Sequence, residues 1–146
     1  MLGLELFGHR PKHPAMRILG IDYGTKRIGI AVSDPDAQFA LPYSVIANKP
    51  HSTYGKQGIV EEIRAIATLN IVKTIVIGES RDYKGQPNKI LPDVLDLKKE
   101  LETRGFIVHL ELEYMTSQQA ERFLGKHAQS DASAAALILQ AYLDKK

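Results

Sequence analysis

A predicted β-hairpin near residue 20 constrains the fold of this chain more than any other feature. Residues 17–22 and 27–33 are two short apolar runs, and the turn Tyr-Gly-Thr-Lys at 23–26 joins them. Short apolar runs connected by a glycine-containing turn predict two antiparallel strands. We therefore expect a sheet that is built on this hairpin.

The segments after the hairpin alternate between helix-like and strand-like patterns. A third strand is predicted over 39–46, where Pro42 favours a position at the sheet edge or at a bulge. The later elements are, in chain order, a helix over 55–69, a buried strand over 74–78, a helix over 90–101, a strand over 106–113 and two helices over 117–124 and 132–143. The order β-β-β-α-β-α-β-α-α predicts an α/β fold in which right-handed helical crossovers join the later strands.

One compact domain is expected, because the chain has 146 residues and 44% of them are hydrophobic. Residues 1–15 contain two prolines and two glycines without a sustained period. They are interpreted as an N-terminal extension that precedes a domain spanning 16–146. A protein start at Met16 and a genuine N-terminal arm are both compatible with this pattern.

Composition excludes several kinds of site and favours one location. The chain has no cysteine, which excludes disulfides, thiolate metal sites and cysteine nucleophiles and is compatible with a reducing cytosol. No apolar run approaches the roughly 20 residues that span a bilayer, and no secretory signal is visible, so a cytoplasmic protein without membrane contact is expected. The formal charge of +2 permits a polyanionic partner but does not require one.

Three acidic residues are placed by the predicted layout near one rim of the sheet. Asp22 ends the first strand, Glu113 ends the fifth strand and Asp131 begins the last helix. Each has an alternative structural role, as a turn-stabilising aspartate, a solvated charge or a helix N-cap. Converging carboxylates repel one another without a cation, and Mg²⁺ or Mn²⁺ prefers such oxygen ligands together with phosphate oxygens. The three acids are therefore predicted as catalytic and metal-binding residues for phosphodiester cleavage.

A fourth acid and several basic residues extend the predicted site. Glu79 follows the fourth strand, where it is either a further metal ligand or a loop charge paired with Arg81 or Lys84. Lys26 and Arg27 lie in or beside the first turn. Together with Arg81 and Lys84 they are the predicted nucleic-acid-binding residues, because phosphate contacts hold a strand in place without reading its sequence.

Two segments resemble motifs of a known family. Residues 16–34, which read MRILGIDYGTKRIGIAVSD, resemble the opening motif of the YqgF/RuvX family, and residues 130–144, which read SDASAAALILQAYLD, resemble its closing helix. The resemblance implies a ribonuclease H-like fold related to Holliday junction resolvases, with a five-stranded mixed sheet led by a β-hairpin and flanked by helices. It also places the family's catalytic acids at Asp22, Glu113 and Asp131.

The function that the resemblance implies is that of a metal-dependent nuclease that processes the 5′ end of pre-16S ribosomal RNA. The alternatives are a Holliday junction resolvase acting in DNA recombination and repair, and a non-catalytic nucleic-acid-binding factor of the same fold. A resolvase is expected to act as a homodimer, whereas a processing nuclease can act as a monomer.

The chain departs from the family pattern at two places. The family usually has Gly-Leu-Pro after strand four and Asp-Glu-Arg after strand five, whereas this chain has Gly78-Glu-Ser and Leu112-Glu-Tyr. The first departure puts an acid, Glu79, where related resolvases carry an acidic ligand. The second removes an aspartate and an arginine, which gives the non-catalytic interpretation its weight.

Another class of protein shares part of this pattern. Residues 20–25 also resemble the phosphate-binding hairpin of actin-like ATPases and sugar kinases. Those enzymes close two such domains over ATP, and this chain has the length of one domain without a second Asp-x-Gly phosphate loop. The nuclease interpretation is therefore preferred, and ATP binding would discriminate between the two.

Overall fold

The structure, a computed structural model, describes residues 16–49, 54–79, 91–111 and 131–145. For residues 79, 91 and 131 it describes the backbone alone. The predicted N-terminal extension and the predicted helix over 117–124 lie outside the described residues.

The described residues form five strands and three helices in the predicted order. They are β1 Arg17–Tyr23, β2 Arg27–Ser33, β3 Ala40–Ala47, α1 Gly55–Leu69, β4 Val72–Glu79, α2 Leu91–Thr103, β5 Ile107–Glu111 and α3 Asp131–Asp144. No helix in the described part of the chain is both long enough and apolar enough to cross a membrane.

The strands form one mixed sheet in the order β3-β2-β1-β4-β5. The predicted hairpin is confirmed, since β1 and β2 pair antiparallel, as do β2 and β3, whereas β4 runs parallel to β1 and to β5. Strand β3 lies at an edge, and its register with β2 shifts next to the pair Ala31 and Pro42. The edge or bulge predicted from Pro42 is therefore confirmed, because a residue without an N–H interrupts the ladder.

Both faces of the sheet are covered by helices. Alternate residues of β1 serve the two faces, with Leu19 and Ile21 in the core that includes residues of α1 and α2, and Ile18 in the core formed with α3. This period of two is the expected consequence of strand geometry. The result is a three-layer α/β/α domain with the sheet at its centre.

Helix α3 packs directly on the backbone of β1 and β4 at two glycines. A Cβ atom at Gly20 would lie 2.6 Å from the Cβ of Leu139 and 3.0 Å from the carbonyl oxygen of Ala135. A Cβ atom at Gly78 would lie 2.8 Å from side-chain carbons of Ile138 and 2.9 Å from the Glu111 carbonyl oxygen. Glycine is therefore required at positions 20 and 78, because any side chain would push α3 away from β1 and β4.

We predict that Gly20→Ala lowers the free energy of unfolding by about 1–3 kcal/mol, the usual cost of overpacking a core. The added methyl group meets a side-chain Cβ and a backbone oxygen, and neither can move without shifting the helix. Urea denaturation followed by circular dichroism measures the change. An unchanged unfolding midpoint would show that α3 does not pack on β1 as described.

An aspartate organises the connection between β2 and β3. The Asp34 carboxylate oxygen Oδ1 accepts hydrogen bonds from the backbone N–H groups of Gln38 and Phe39, both at 2.8 Å. The N–H groups of Phe39 and Gln38 hold the pKa of the Asp34 carboxyl below its usual value. The start of β3 is also tied to α3, because the Ala40 N–H donates to Oε1 of Gln140 at 2.9 Å.

We predict that Asp34→Ala destabilises the protein at pH 7 and that the difference from wild type shrinks toward pH 3. A lowered folded-state pKa means that the contribution is present above the unfolded pKa of about 3.9 and is lost as the pH falls through the folded-state pKa. Urea denaturation at both pH values measures the difference, with Asp36→Ala in the same exposed turn as the control. Equal effects of the two substitutions would contradict the assignment.

Candidate functional site

Asp22 is a buried carboxylate whose register partners on both adjacent strands are glycines. Its side chain is only 4% exposed. Its register partners are Gly29 on β2 and Gly78 on β4, so neither adjacent strand presents a side chain beside it. Burying an ionised carboxylate is costly unless it is compensated. A position of this kind indicates a functional carboxylate better than a solvated turn residue.

The parallel strands end beside Asp22 at one rim of the sheet. Gly78 is paired with Asp22 on one side and with Glu111 on the other, and Tyr23 is paired with Glu79. Strand β4 therefore ends at Glu79 next to the end of β1, as predicted. Strand β5 brings the chain to the same register line at Glu111. This is the carboxyl rim, where open α/β sheets tend to place their chemistry.

Contacts with β4 and β5 relate helix α3 to the strand ends. Ile138 lies against the Gly78 position. Tyr142, about one turn later in the helix, stacks on His109, with ring centroids 5.4 Å apart, and His109 lies two residues before the β5 position paired with Gly78. Ile138 is thus nearer the carboxyl ends of the strands than Tyr142, whereas Lys145 Nζ reaches Glu111 on the register line of Gly78. Asp131 is the first residue of α3, and its position at the carboxyl rim stays a prediction.

A contact of Ala135 relates the first turns of α3 to β1. Ala135 contacts the Gly20 position. Asp131 precedes Ala135 by about one helical turn of 5.4 Å, and Asp22 follows Gly20 by two strand residues, roughly 6.6 Å. The approach of Asp131 to Asp22 stays a prediction.

The remaining predicted acids are located only in part. Glu113 lies outside the described residues, two positions beyond the last residue of β5. The side chains of Glu79 and Asp131 are likewise outside the description. Among the side chains that are described, no three carboxylate or imidazole groups form a cluster that could hold a metal ion. All of the predicted metal ligands, including Asp22, therefore remain a prediction.

The first turn carries the two described candidates for phosphate contact. Lys26 and Arg27 are both exposed, and the turn that holds them begins two residues after Asp22. They are thus at the same rim as the buried carboxylate. Arg81 and Lys84 lie outside the described residues.

The sequence analysis missed an ion pair that ties the end of α3 to β5. Lys145 Nζ lies 2.6 Å from Oε1 of Glu111, whose side chain is 6% exposed. The two residues are 34 positions apart, so no local pattern reveals the pair. Glu111 therefore has a structural partner in Lys145.

Comparison with known proteins identifies the family. The model of the Holliday junction resolvase family RuvX matches residues 16–145. The chain belongs to this family. A protein of Chlorobaculum tepidum named as a candidate pre-16S rRNA nuclease is 31% identical over 140 residues, which cover 88% of this chain and 93% of that protein. A Maridesulfovibrio salexigens protein of the same name is 32% identical over 137 residues, which cover 88% and 98% of the two chains.

A solved structure supports the fold of this RuvX-family protein. RuvC of T. thermophilus, in complex with a Holliday junction substrate, superposes with a TM-score of 0.55 at 18% identity over 89% of this chain and 94% of RuvC. The ribonuclease H-like fold implied by the sequence motifs is confirmed. Membership of the RuvX family also favours a nuclease over the actin-like ATPase or sugar kinase class.

We predict that Glu111→Gln lowers the free energy of unfolding by about 1–2 kcal/mol. The substitution removes the charge of a nearly buried carboxylate and with it the ion pair to Lys145, whose side chain is largely exposed. Glu102→Gln is the matched control, since Glu102 pairs with Lys98 at 2.9 Å on the surface of α2. The control should cost only about 0.3–0.5 kcal/mol. Chemical denaturation measures both, and equal losses would contradict a structural role for the buried pair.

Proposed function

We propose that this chain is a metal-dependent nuclease that hydrolyses phosphodiester bonds in nucleic acid. The proposed nuclease domain spans residues 16–146. The proposed catalytic residues are Asp22, Glu113 and Asp131, with Glu79 as a further ligand. Membership of a nuclease family supports the reaction class.

The observation that carries the proposal is the position of Asp22. A carboxylate that is 4% exposed lies between two glycine positions beside the end of β4, and in the proposed site the chain after β5 and the start of α3 lie near it. These are the backbone positions from which Glu79, Glu113 and Asp131 would approach it. A hydrophobic residue would serve a purely structural site in this layer better, because it would not need compensation for a buried charge.

The donor set proposed at this rim fits Mg²⁺ or Mn²⁺. The four acids offer only carboxylate oxygens, and the chain has no cysteine to favour a softer metal. When bound there, such an ion would activate water and stabilise charge on the phosphate. Asp22 would hold its carboxylate in a fixed direction, because β1 is paired on both sides.

The basic residues of the site would hold the substrate rather than cleave it. Lys26 and Arg27 are exposed at the rim and would contact phosphates next to the cleaved bond, and Arg81 and Lys84 would extend this contact. Contacts with the backbone of a nucleic acid contribute affinity without sequence selectivity.

The proposed substrate is the 5′ end of pre-16S ribosomal RNA, and the proposed setting is ribosome biogenesis in the cytoplasm. The names of the relatives at 31% and 32% identity support this choice. A Holliday junction is the second candidate substrate, because the family to which the chain belongs is described as a Holliday junction resolvase. The first substrate is compatible with a monomer, whereas paired cuts in a junction favour a homodimer.

We predict that Asp22→Asn reduces metal-dependent cleavage by about 100-fold or more, since loss of a metal-binding carboxylate removes several kcal/mol of transition-state stabilisation. Asp36→Asn is the matched control, because Asp36 is exposed in the turn between β2 and β3 at the opposite end of the sheet. Cleavage of a labelled precursor rRNA fragment and of a four-way DNA junction is measured with Mg²⁺, Mn²⁺ or EDTA.

The two substrates and the metal conditions separate the proposals. Cleavage of the RNA alone supports rRNA processing, and symmetric cleavage of the junction supports the resolvase. Binding of either substrate without cleavage in any metal would replace the nuclease with a non-catalytic nucleic-acid-binding factor. Equal activity of Asp22→Asn and wild type would remove Asp22 from the site.

A further inference from the structure

The turn that joins β1 to β2 is held in one conformation by its own backbone. The Gly24 N–H donates to the Arg27 carbonyl oxygen at 3.1 Å. A Cβ atom at Gly24 would lie 2.6 Å from the same oxygen, so the turn closes only around a glycine. This turn starts immediately after Asp22 and Tyr23 and presents Lys26 and Arg27 to solvent.

Asn48 fastens this turn from the neighbouring edge of the sheet. It follows β3 directly and is 8% exposed. Its backbone N–H donates to the Lys26 carbonyl oxygen at 2.9 Å, and its side-chain Nδ2 donates to the Gly24 carbonyl oxygen at 2.7 Å. Burial raises the pKa of the Tyr23 hydroxyl, and the neighbouring Asn48 side chain opposes that rise.

The oxygen Oδ1 of the Asn48 side chain indicates that the residue serves mainly as a hydrogen-bond donor. Its Oδ1 atom is buried and has no hydrogen-bond partner among the described residues. A buried acceptor without a partner costs free energy, so this residue is not the best choice for packing alone. The amide cannot turn over to relieve that cost, because Oδ1 would then face the Gly24 carbonyl oxygen. The hydrogen bond that the Asn48 side chain donates to the turn therefore explains why an asparagine occupies this position.

We propose that Asn48 is a positioning residue that fixes the β1–β2 turn so that Lys26 and Arg27 bind the phosphates of a nucleic-acid strand lying across Asp22. The inference rests on the proposed nuclease function and adds a residue to its substrate-binding part. Holding the turn in advance reduces the conformational entropy that substrate binding would otherwise lose. Asn48 acts through the turn and needs no contact with the strand.

Asn48→Ala tests the proposal, and Asn70→Ala is its matched control. Asn70 also donates from Nδ2 to a backbone carbonyl oxygen, that of Ile66 at 2.9 Å, but it lies after α1 near the start of β4, away from the carboxyl rim. The dissociation constant of a fluorescein-labelled RNA hairpin with a single-stranded tail is measured by anisotropy in EDTA. We expect Asn48→Ala to weaken binding about threefold to tenfold and Asn70→Ala to change it by less than about twofold.

A double-mutant cycle distinguishes positioning from a general loss of structure. In a Lys26→Ala/Arg27→Ala background, Asn48→Ala should change the dissociation constant by less than about 1.5-fold, because the side chains that the turn positions are gone. The slope of binding against salt concentration should also fall in Asn48→Ala and not in Asn70→Ala. Asn48→Ser keeps a shorter hydrogen-bond donor and replaces the alanine variant if that variant does not fold. It should also weaken binding relative to the wild-type protein.

The outcomes are independent of the cleavage assay, because binding in EDTA does not require the reaction. Wild-type affinity in both Asn48 variants would overturn the inference, as would an equal loss in the Lys26→Ala/Arg27→Ala background. Absence of any binding by the wild-type protein would overturn it as well. If the wild-type protein does not cleave but the variants show the expected binding pattern, only the catalytic proposal is rejected. The positioning role of Asn48 then remains.

Discussion

The close contact between α3 and the sheet is the constraint on which the rest of the structure depends. Gly20 and Gly78 leave no room for a Cβ atom beneath Leu139 and Ile138. The helix therefore lies directly on β1 and β4, and its axial position is fixed by these contacts. This packing therefore fixes α3 against the two strands that carry Asp22 and Glu79. The location of the candidate site is thus a consequence of core packing.

Two buried acids at this rim of the sheet have different neighbours. Asp22 and Glu111 both occupy buried positions on the same register line, with Gly78 between them. Glu111 is paired with Lys145, which neutralises it and fastens the end of α3 to β5. Asp22 lies between Gly29 and Gly78 in the sheet. Burial alone therefore does not identify a functional carboxylate, and its cross-strand neighbours must be considered.

One of the two departures from the family motifs lies among the described residues. Glu79 is the last residue of β4 and is paired with Tyr23, next to Asp22. Tyr114, at the position where the resemblance implies an arginine, lies outside the described residues. Relative to the motifs that the resemblance implies, the chain has one additional acid and lacks one acid and one arginine. The hairpin turn, with Lys26 and Arg27, then becomes a principal source of positive charge among the described residues at the rim.

The sequence by itself determined the hairpin, the order of the elements, the edge position of β3 and the acid that the structure places at the end of β1. These features follow from local patterns, namely apolar periodicity, turn glycines and the missing N–H of Pro42. Only the tertiary structure decided that Glu111 pairs with Lys145 and that Asn48 fastens the turn at Gly24. These partners are 34 and 24 residues apart, and they meet because helix packing and strand register bring them together. Such contacts depend on the relative placement of whole elements, which no local pattern encodes.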